Sequence, residues 1–330
     1  MVTPADTVTP ADTEPTTDLG LFGPESVSWR VHAEPILWFS ALRALFLQML
    51  LPRAIAGVVQ NSNFRVDPWG RLFRTAQFFG QVVYGDQATA EAAGRRVRRI
   101  HGRLGGVDPD TGEDFRVDEP DLLRWIHVTA AESFCTTARR GGMRLSADEV
   151  DRYYDEQLSI AVLVGLDPAT VPATAADIED YYRAMRPRLS VGKDARETAR
   201  FLVVPSLPWG LGFTPLRPLW MGVAAYGFSL LPPWARRLYG LPGLPTTDLS
   251  ATLTSRAVRL SLRLVPDSLT EGPIFQNAME RVERARSTTR NVGASATMPS
   301  VSTAGTAKAT RSPATSAITP TRAAPTTNPA

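Results

Sequence analysis

Apolar residues along most of this chain recur every three or four positions. That is the repeat of a helix with one inward face, and strict alternation is scarce. The pattern predicts a helix over about 34–60, with Pro35 in its first turn and Pro52 kinking or dividing it. Asn61-Ser62-Asn63 and Asp67-Pro68 mark a loop, followed by a helix over 69–84 that Gly85-Asp86 closes. The next helix, about 87–104, places Ala93, Val97, Ile100 and Leu104 on one face, and Gly105-Gly106 is expected to end it in the left-handed conformation. A polar connection, 108–113, leads to Pro120, which opens a helix reaching about Arg139 before Gly141-Gly142. Further helices are expected at about 146–164 and 175–185, where Ser146 with Glu149 and Thr174 with Asp177 have the form of capping boxes. A short one follows at about 195–204. The fold class read from this pattern is all-α, with one main helical domain over 21–286.

The two ends read differently. Residues 1–20 repeat VTPADT and are rich in Pro, Thr and Asp, while 287–330 collapse into Ser, Thr, Ala and Pro. Neither composition buries enough apolar surface to offset the entropy of folding, so both segments are expected to be disordered. No run approaches the ~18 uninterrupted apolar residues that a spanning helix needs. Arg43, Gln48 and Arg53 interrupt the nearest candidate, and a second apolar stretch, 216–231, is bounded by Arg217-Pro218 and Pro232-Pro233. Both read as buried helices, with shallow contact with a membrane surface as the alternative for the second.

Composition narrows the function classes. Of 330 residues, 43% are hydrophobic and 21% charged, enough for a sizeable core. The net charge is only +3, which points to no nucleic-acid partner. The single cysteine, Cys135, excludes an internal disulfide and a Cys-rich metal site. The first residues lack the basic and apolar regions of a signal peptide, so the expected location is cytoplasmic, with peripheral membrane contact as the variant.

Three histidines are present, His32, His101 and His127. His101 shares a face with Val97 and Leu104, while Arg95, Arg96, Arg98, Arg99 and Arg103 spread over the others. His127 shares a face with Leu123, Ala130 and Phe134. Two inward imidazoles on successive helices suit either an axial ligand for haem iron or core histidines bonded to backbone or carboxylate; spacing leaves both open. Arg71, Arg74 and Thr75 stand at a helix start beside Phe78 and Phe79. Arginines beside an apolar face suit a planar anionic ligand, or else they are exposed side chains with snorkelling stems. GxGxxG, Walker, HExxH, CxxC and GxSxG signatures are absent, and Glu132, Asp151, Asp155 and Glu156 form no evident acid/base pair.

The order of these segments resembles a known family. Arg71, Arg74 and Thr75 are followed by Tyr84-Gly85-Asp86, then by Arg98-Arg99-Ile100-His101-Gly102-Arg103-Leu104-Gly105-Gly106. Next comes the run from Leu123 to Phe134 around His127-Val128-Thr129, and last Leu230-Leu231-Pro232-Pro233-Trp234. Over residues 24–264 this is similar to the rubber oxygenase (latex-clearing protein) / MpaB-type oxygenase family. The resemblance implies a globin-like helical core holding haem b, with His101 as the iron ligand and Arg71, Arg74 and Thr75 around the cofactor. It implies a haem-dependent oxygenase or oxidoreductase that uses molecular oxygen on a hydrophobic small molecule, with Arg71, Thr75 and His127 as the catalytic candidates. Where the rubber enzymes can place a distal lysine on iron, this chain has Arg74, which stays protonated and should not ligate. No position matches their distal carboxylate, so the rubber substrate is not carried over. The alternatives are a non-catalytic haem or hydrophobic-ligand binding protein, and a helical interaction protein whose histidines are structural.

Overall fold

The computed structural model describes residues 18–204, 215–266 and 272–296, apart from the side chains of 288–296. The fold is all-α. Contacts divide the chain into Met1–Ser287 and Thr288–Ala330, and the following concerns the first unit.

Its axis is α6 (Pro120–Arg140), which buries Trp125, Val128, Ala131, Phe134 and Ala138. Proline in the first turn gives up no hydrogen bond there, which explains the start at Pro120. Against α6 pack α2 (Leu37–Gln48), α3 (Pro52–Asn61) and α7 (Ala147–Val164). The expected long helix over 34–60 is two helices that meet at 108°. Pro52 sits in the first turn of α3 and cannot donate to the end of α2. The α7 capping box of Ser146 and Glu149 is complete, and Thr174 with Asp177 forms the same box on α8 (Ala175–Met185).

One charged side chain crosses this core. Arg43 of α2 is 2% exposed and forks onto both oxygens of Glu132 on α6. It also donates to Ser133 Oγ at 2.6 Å and to the Leu230 carbonyl at 2.9 Å. The Tyr182 hydroxyl donates to Glu132 at 3.1 Å and that of Thr136 at 2.7 Å, so the buried carboxylate is fully engaged.

The helices α4 (Pro68–Tyr84) and α5 (Gln87–His101) form an antiparallel hairpin around Gly85-Asp86. Asp67 and Asp86 cap them through the amides of Gly70 and Thr89. The expectation that α5 ends at Gly105-Gly106 is corrected. It ends at His101, and the two glycines lie in a short strand, β1 (Gly105–Val107), antiparallel to β2 (Asp114–Arg116) with Gly106 opposite Phe115. A Cβ on Gly106 would lie 2.8 Å from the Phe115 ring, so glycine serves a close approach here rather than a positive φ. Gln60 bonds the Val107 backbone in both directions, and Asn61 donates to the Gly105 carbonyl, fastening the hairpin to α3.

The remaining helices are α1 (Val27–His32), α9 (Lys193–Val203), α10 (Leu216–Ser229), α11 (Pro233–Leu238), α12 (Pro245–Leu262) and α13 (Pro273–Ala296), the last belonging to this unit as far as Ser287. The expected disordered ends fall almost wholly outside the described residues. Two details depart from them: Asp18 accepts from the Gln87 amide at 3.0 Å, and α13 runs past 287 to Ala296. Among the described residues no single helix is long and apolar enough to cross a membrane. The stretch 216–231 is buried only toward its end, at Ala224, Gly227, Leu230 and Leu231, while Leu216 and Leu219 are exposed.

Candidate cofactor site

The hairpin geometry explains which candidates meet. In an antiparallel pair the start of α4 lies beside the end of α5, which brings Arg71 to His101. Burial lowers the His101 pKa below its ordinary value, Arg71 lowers it further, and Asp118 works against both. The imidazole is therefore neutral near pH 7, with a lone pair to offer. Its Nδ1 is buried with no hydrogen-bond partner.

Arg71 is half-buried and donates to Ser62 Oγ at 2.5 Å. Burial lowers its pKa, and neighbouring Arg74 adds to that. Among the described residues no carboxylate pairs with it. A partly desolvated guanidinium without a counter-ion is costly unless an anion arrives.

Thr75 stands one turn further along α4, and its hydroxyl donates to the Arg71 carbonyl at 3.0 Å. Thr75 and Arg74 are both exposed; Arg74 stands 3.2 Å from Asp67 and bears on the site through its charge on Arg71.

The next turn of the α4 face carries Phe79, whose ring centre is 5.0 Å from that of Phe134 on α6. Phe134 is two turns beyond His127 on one helix face, so the faces bearing Thr75 and His127 point toward each other. His127 keeps accessible surface, yet burial lowers its pKa to about 4. His127 is thus a half-buried, neutral imidazole on the face of α6 that also carries Phe134.

His32, left outside the expected site, belongs beside it. Its ring centre lies 4.9 Å from Phe134 and 6.0 Å from Phe79, Nε2 is buried and unpaired, and burial lowers its pKa to about 4. The sequence signal was only the scarcity of histidine, because α1 is too short to show a face. The start of α4 is bounded in turn by α10, where Trp69 and Trp220 rings meet at 4.9 Å and Trp220 Nε1 donates to the Leu202 carbonyl of α9.

The carboxylates are occupied elsewhere. Glu132 holds Arg43, Asp151 accepts from the first amide of α8, and Glu156 accepts from Val27 and Ser28 at the start of α1. A solvent-open cleft of about 290 Å³ beside Glu132, Tyr182 and Trp234 contains none of the three histidines.

Residues 29–263 match the family described as ER-bound oxygenase mpaB/B'/Rubber oxygenase, catalytic domain. The chain belongs to this family. It therefore contains an oxygenase catalytic domain, which takes in every helix from α2 to α12 and all three histidines. No curated protein and no solved structure matches the chain.

Two observations test whether these residues fit haem. Among the described residues no group of three or more His, Cys, Asp or Glu could hold a metal ion. A lone neutral imidazole with an unpaired buried nitrogen suits an iron already held by a macrocycle. A half-buried arginine beside it, held by Ser62 but with no carboxylate partner among the described residues, suits that macrocycle's carboxylates. The residues of this oxygenase family member fit the group.

Proposed function

We propose that the chain is a haem-b-dependent oxygenase or oxidoreductase acting on a hydrophobic small molecule with molecular oxygen. The observation that carries this reading is the pair at the end of the α4–α5 hairpin: a neutral, half-buried His101 beside a half-buried Arg71 that has no carboxylate. His101 would hold the iron and Arg71 the propionates, with Ser62 orienting the guanidinium. When bound, haem b supplies the oxygen and electron chemistry.

The chain's own residues define the rest. Thr75 spends its proton on the Arg71 carbonyl, so its oxygen is left as an acceptor. His127 is uncharged at neutral pH and can hydrogen-bond a polar substrate group without contributing charge. Phe79 and Phe134 present an apolar wall that favours a hydrophobic substrate and excludes water.

Absorbance after haem titration tests the reading. A Soret band is expected in the parent protein. It should be lost in His101→Ala and weakened in Arg71→Ala, whose haem affinity should fall roughly tenfold or more. A parent without a Soret band, or an unchanged band in His101→Ala, overturns it. The engagement of Glu132, Asp151 and Glu156 favours a second reading, a haem or hydrophobic-ligand binding protein without turnover, because none of these three is free to act as a base. Oxygen uptake with isoprenoid or terpenoid substrates separates the two.

A further inference from the structure

The outward face of α12 is apolar. At about 100° per residue, Leu249, Leu253 and Leu260 of α12 project within about 40° of one another, with Arg256 between Leu253 and Leu260 along the axis, and Leu264 follows just past the helix end. These leucines are 63%, 57%, 66% and 81% exposed. Buried Ala251 and Ser255 project from the opposite side, where Ser255 accepts from the Tyr226 hydroxyl of α10 at 2.7 Å. A soluble surface helix has the reverse design, with leucines inward and polar residues outward. A contiguous exposed leucine stripe marks a contact surface.

Charge selects the occupant. Arg256 and Arg263 flank the stripe on one side, and Ser250, Thr254 and Ser261 on the other. Asp248 is the single acidic residue between Leu216 and Leu264, and Arg140 and Arg236 already hold it, at 2.9 and 2.8 Å. Arg256 has no carboxylate partner among the described residues, and Arg263 stands 3.9 Å from Glu34, which Arg259 engages more closely. A second copy of this chain would bring this arginine-bearing face against itself, and Glu34 beside it is already held by Arg259. Leucines flanked by Arg256, which has no acidic partner among the described residues, and by Arg263, only loosely paired with Glu34, match the acyl boundary and anionic headgroups of a lipid surface.

We propose that α12 lies in the surface of an anionic phospholipid membrane, its leucines inserted and Arg256 and Arg263 at the headgroups. The contact does not require a spanning helix and does not depend on haem or on the oxygenase reading. It differs from the contact anticipated at 216–231, since the exposed leucine line is on α12.

Co-sedimentation of the full chain with vesicles tests this, using phosphatidylcholine alone and phosphatidylcholine mixed with phosphatidylglycerol. The protein is expected to pellet with the mixed vesicles, and less so as salt rises. Arg256→Gln and Arg263→Gln should each lower partitioning about fivefold. Leu253→Asp with Leu260→Asp should abolish it while the circular-dichroism melt is kept, since these side chains are exposed. A parent that stays in the supernatant with mixed vesicles overturns the proposal. So does a stable dimer in solution that the Leu→Asp pair splits, which would assign the stripe to a second copy. The Soret band is expected to survive the α12 substitutions, so failure here is distinguishable from failure of the cofactor reading.

Discussion

Arg43 and Arg30 both pair with a glutamate, and the surroundings decide what each pair is worth. Arg43 is buried, and its replacement by alanine leaves Glu132 enclosed with only Tyr182 and Thr136 to satisfy it. Breaking such a pair costs about 3–5 kcal/mol. Arg30 and Glu149 meet at 2.6 Å with both side chains substantially solvated, and Arg30→Ala should cost less than about 1 kcal/mol. Urea denaturation of the two variants checks the contrast, and equal losses would mean that water from the adjoining cleft fully replaces Arg43 at the Glu132 carboxylate. The buried pair was invisible in the sequence, where Arg43 read only as an interruption of an apolar run. The sequence brought His101 and Arg71 forward as candidates through a helical repeat and adjoining aromatic positions, although Ile100 of that repeat is exposed and Leu104 lies beyond the end of α5. Nothing in the sequence told Arg74 from Arg71. That difference arises because Asp67, needed to cap α4, also draws the nearer guanidinium outward.

At the scale of elements, α5 and α7 approach closely at Gly94. A Cβ there would lie 2.8 Å from the Leu163 carbonyl oxygen and 3.0 Å from the Leu163 Cβ, and Arg98 also donates to that carbonyl. Backbone cannot move aside as a flexible side chain can. Gly94→Ala should therefore destabilise by about 1–3 kcal/mol, although alanine favours an isolated helix by about 1 kcal/mol. Because α5 ends at His101, the same variant should also weaken haem retention; a thermal melt and a haem titration report the two effects. A raised melting temperature would show that α5 shifts freely on α7. Elements with chemical punctuation were readable: the boxes at Ser146 and Thr174, and the prolines opening α3, α4 and α6. The β1–β2 hairpin was not, because its three-residue strands are too short to display alternation. Its paired glycines imitate a helix stop, although they are required by the Phe115 ring.

Across the whole molecule, the buried histidines make stability depend on pH in a direction that can be worked out. His32 and His127 have folded pKa values near 4, lowered by burial from an ordinary 6.5. Between those values the unfolded chain binds protons that the folded chain refuses, so stability is fully present above pH 6.5 and falls as pH drops toward 4. Each shift corresponds to at most about 3 kcal/mol at its acid limit. The accessible surface both side chains keep lowers that figure, and the lowered pKa of His101 acts in the same direction. Depressed carboxylates such as Asp248, whose pairing with Arg236 and Arg140 outweighs its burial, lose their contribution only at lower pH. The two windows are therefore separable. Denaturant unfolding of the parent protein should show stability dropping by several kcal/mol between pH 7 and 4.5. A His32→Gln, His127→Gln variant should start lower and fall less steeply across that window, keeping only the slope due to His101, and then fall with the parent at more acid pH. Parallel slopes in the two proteins would mean that both imidazoles already hold protons in the fold, and surroundings wet enough to allow that would no longer favour a hydrophobic substrate.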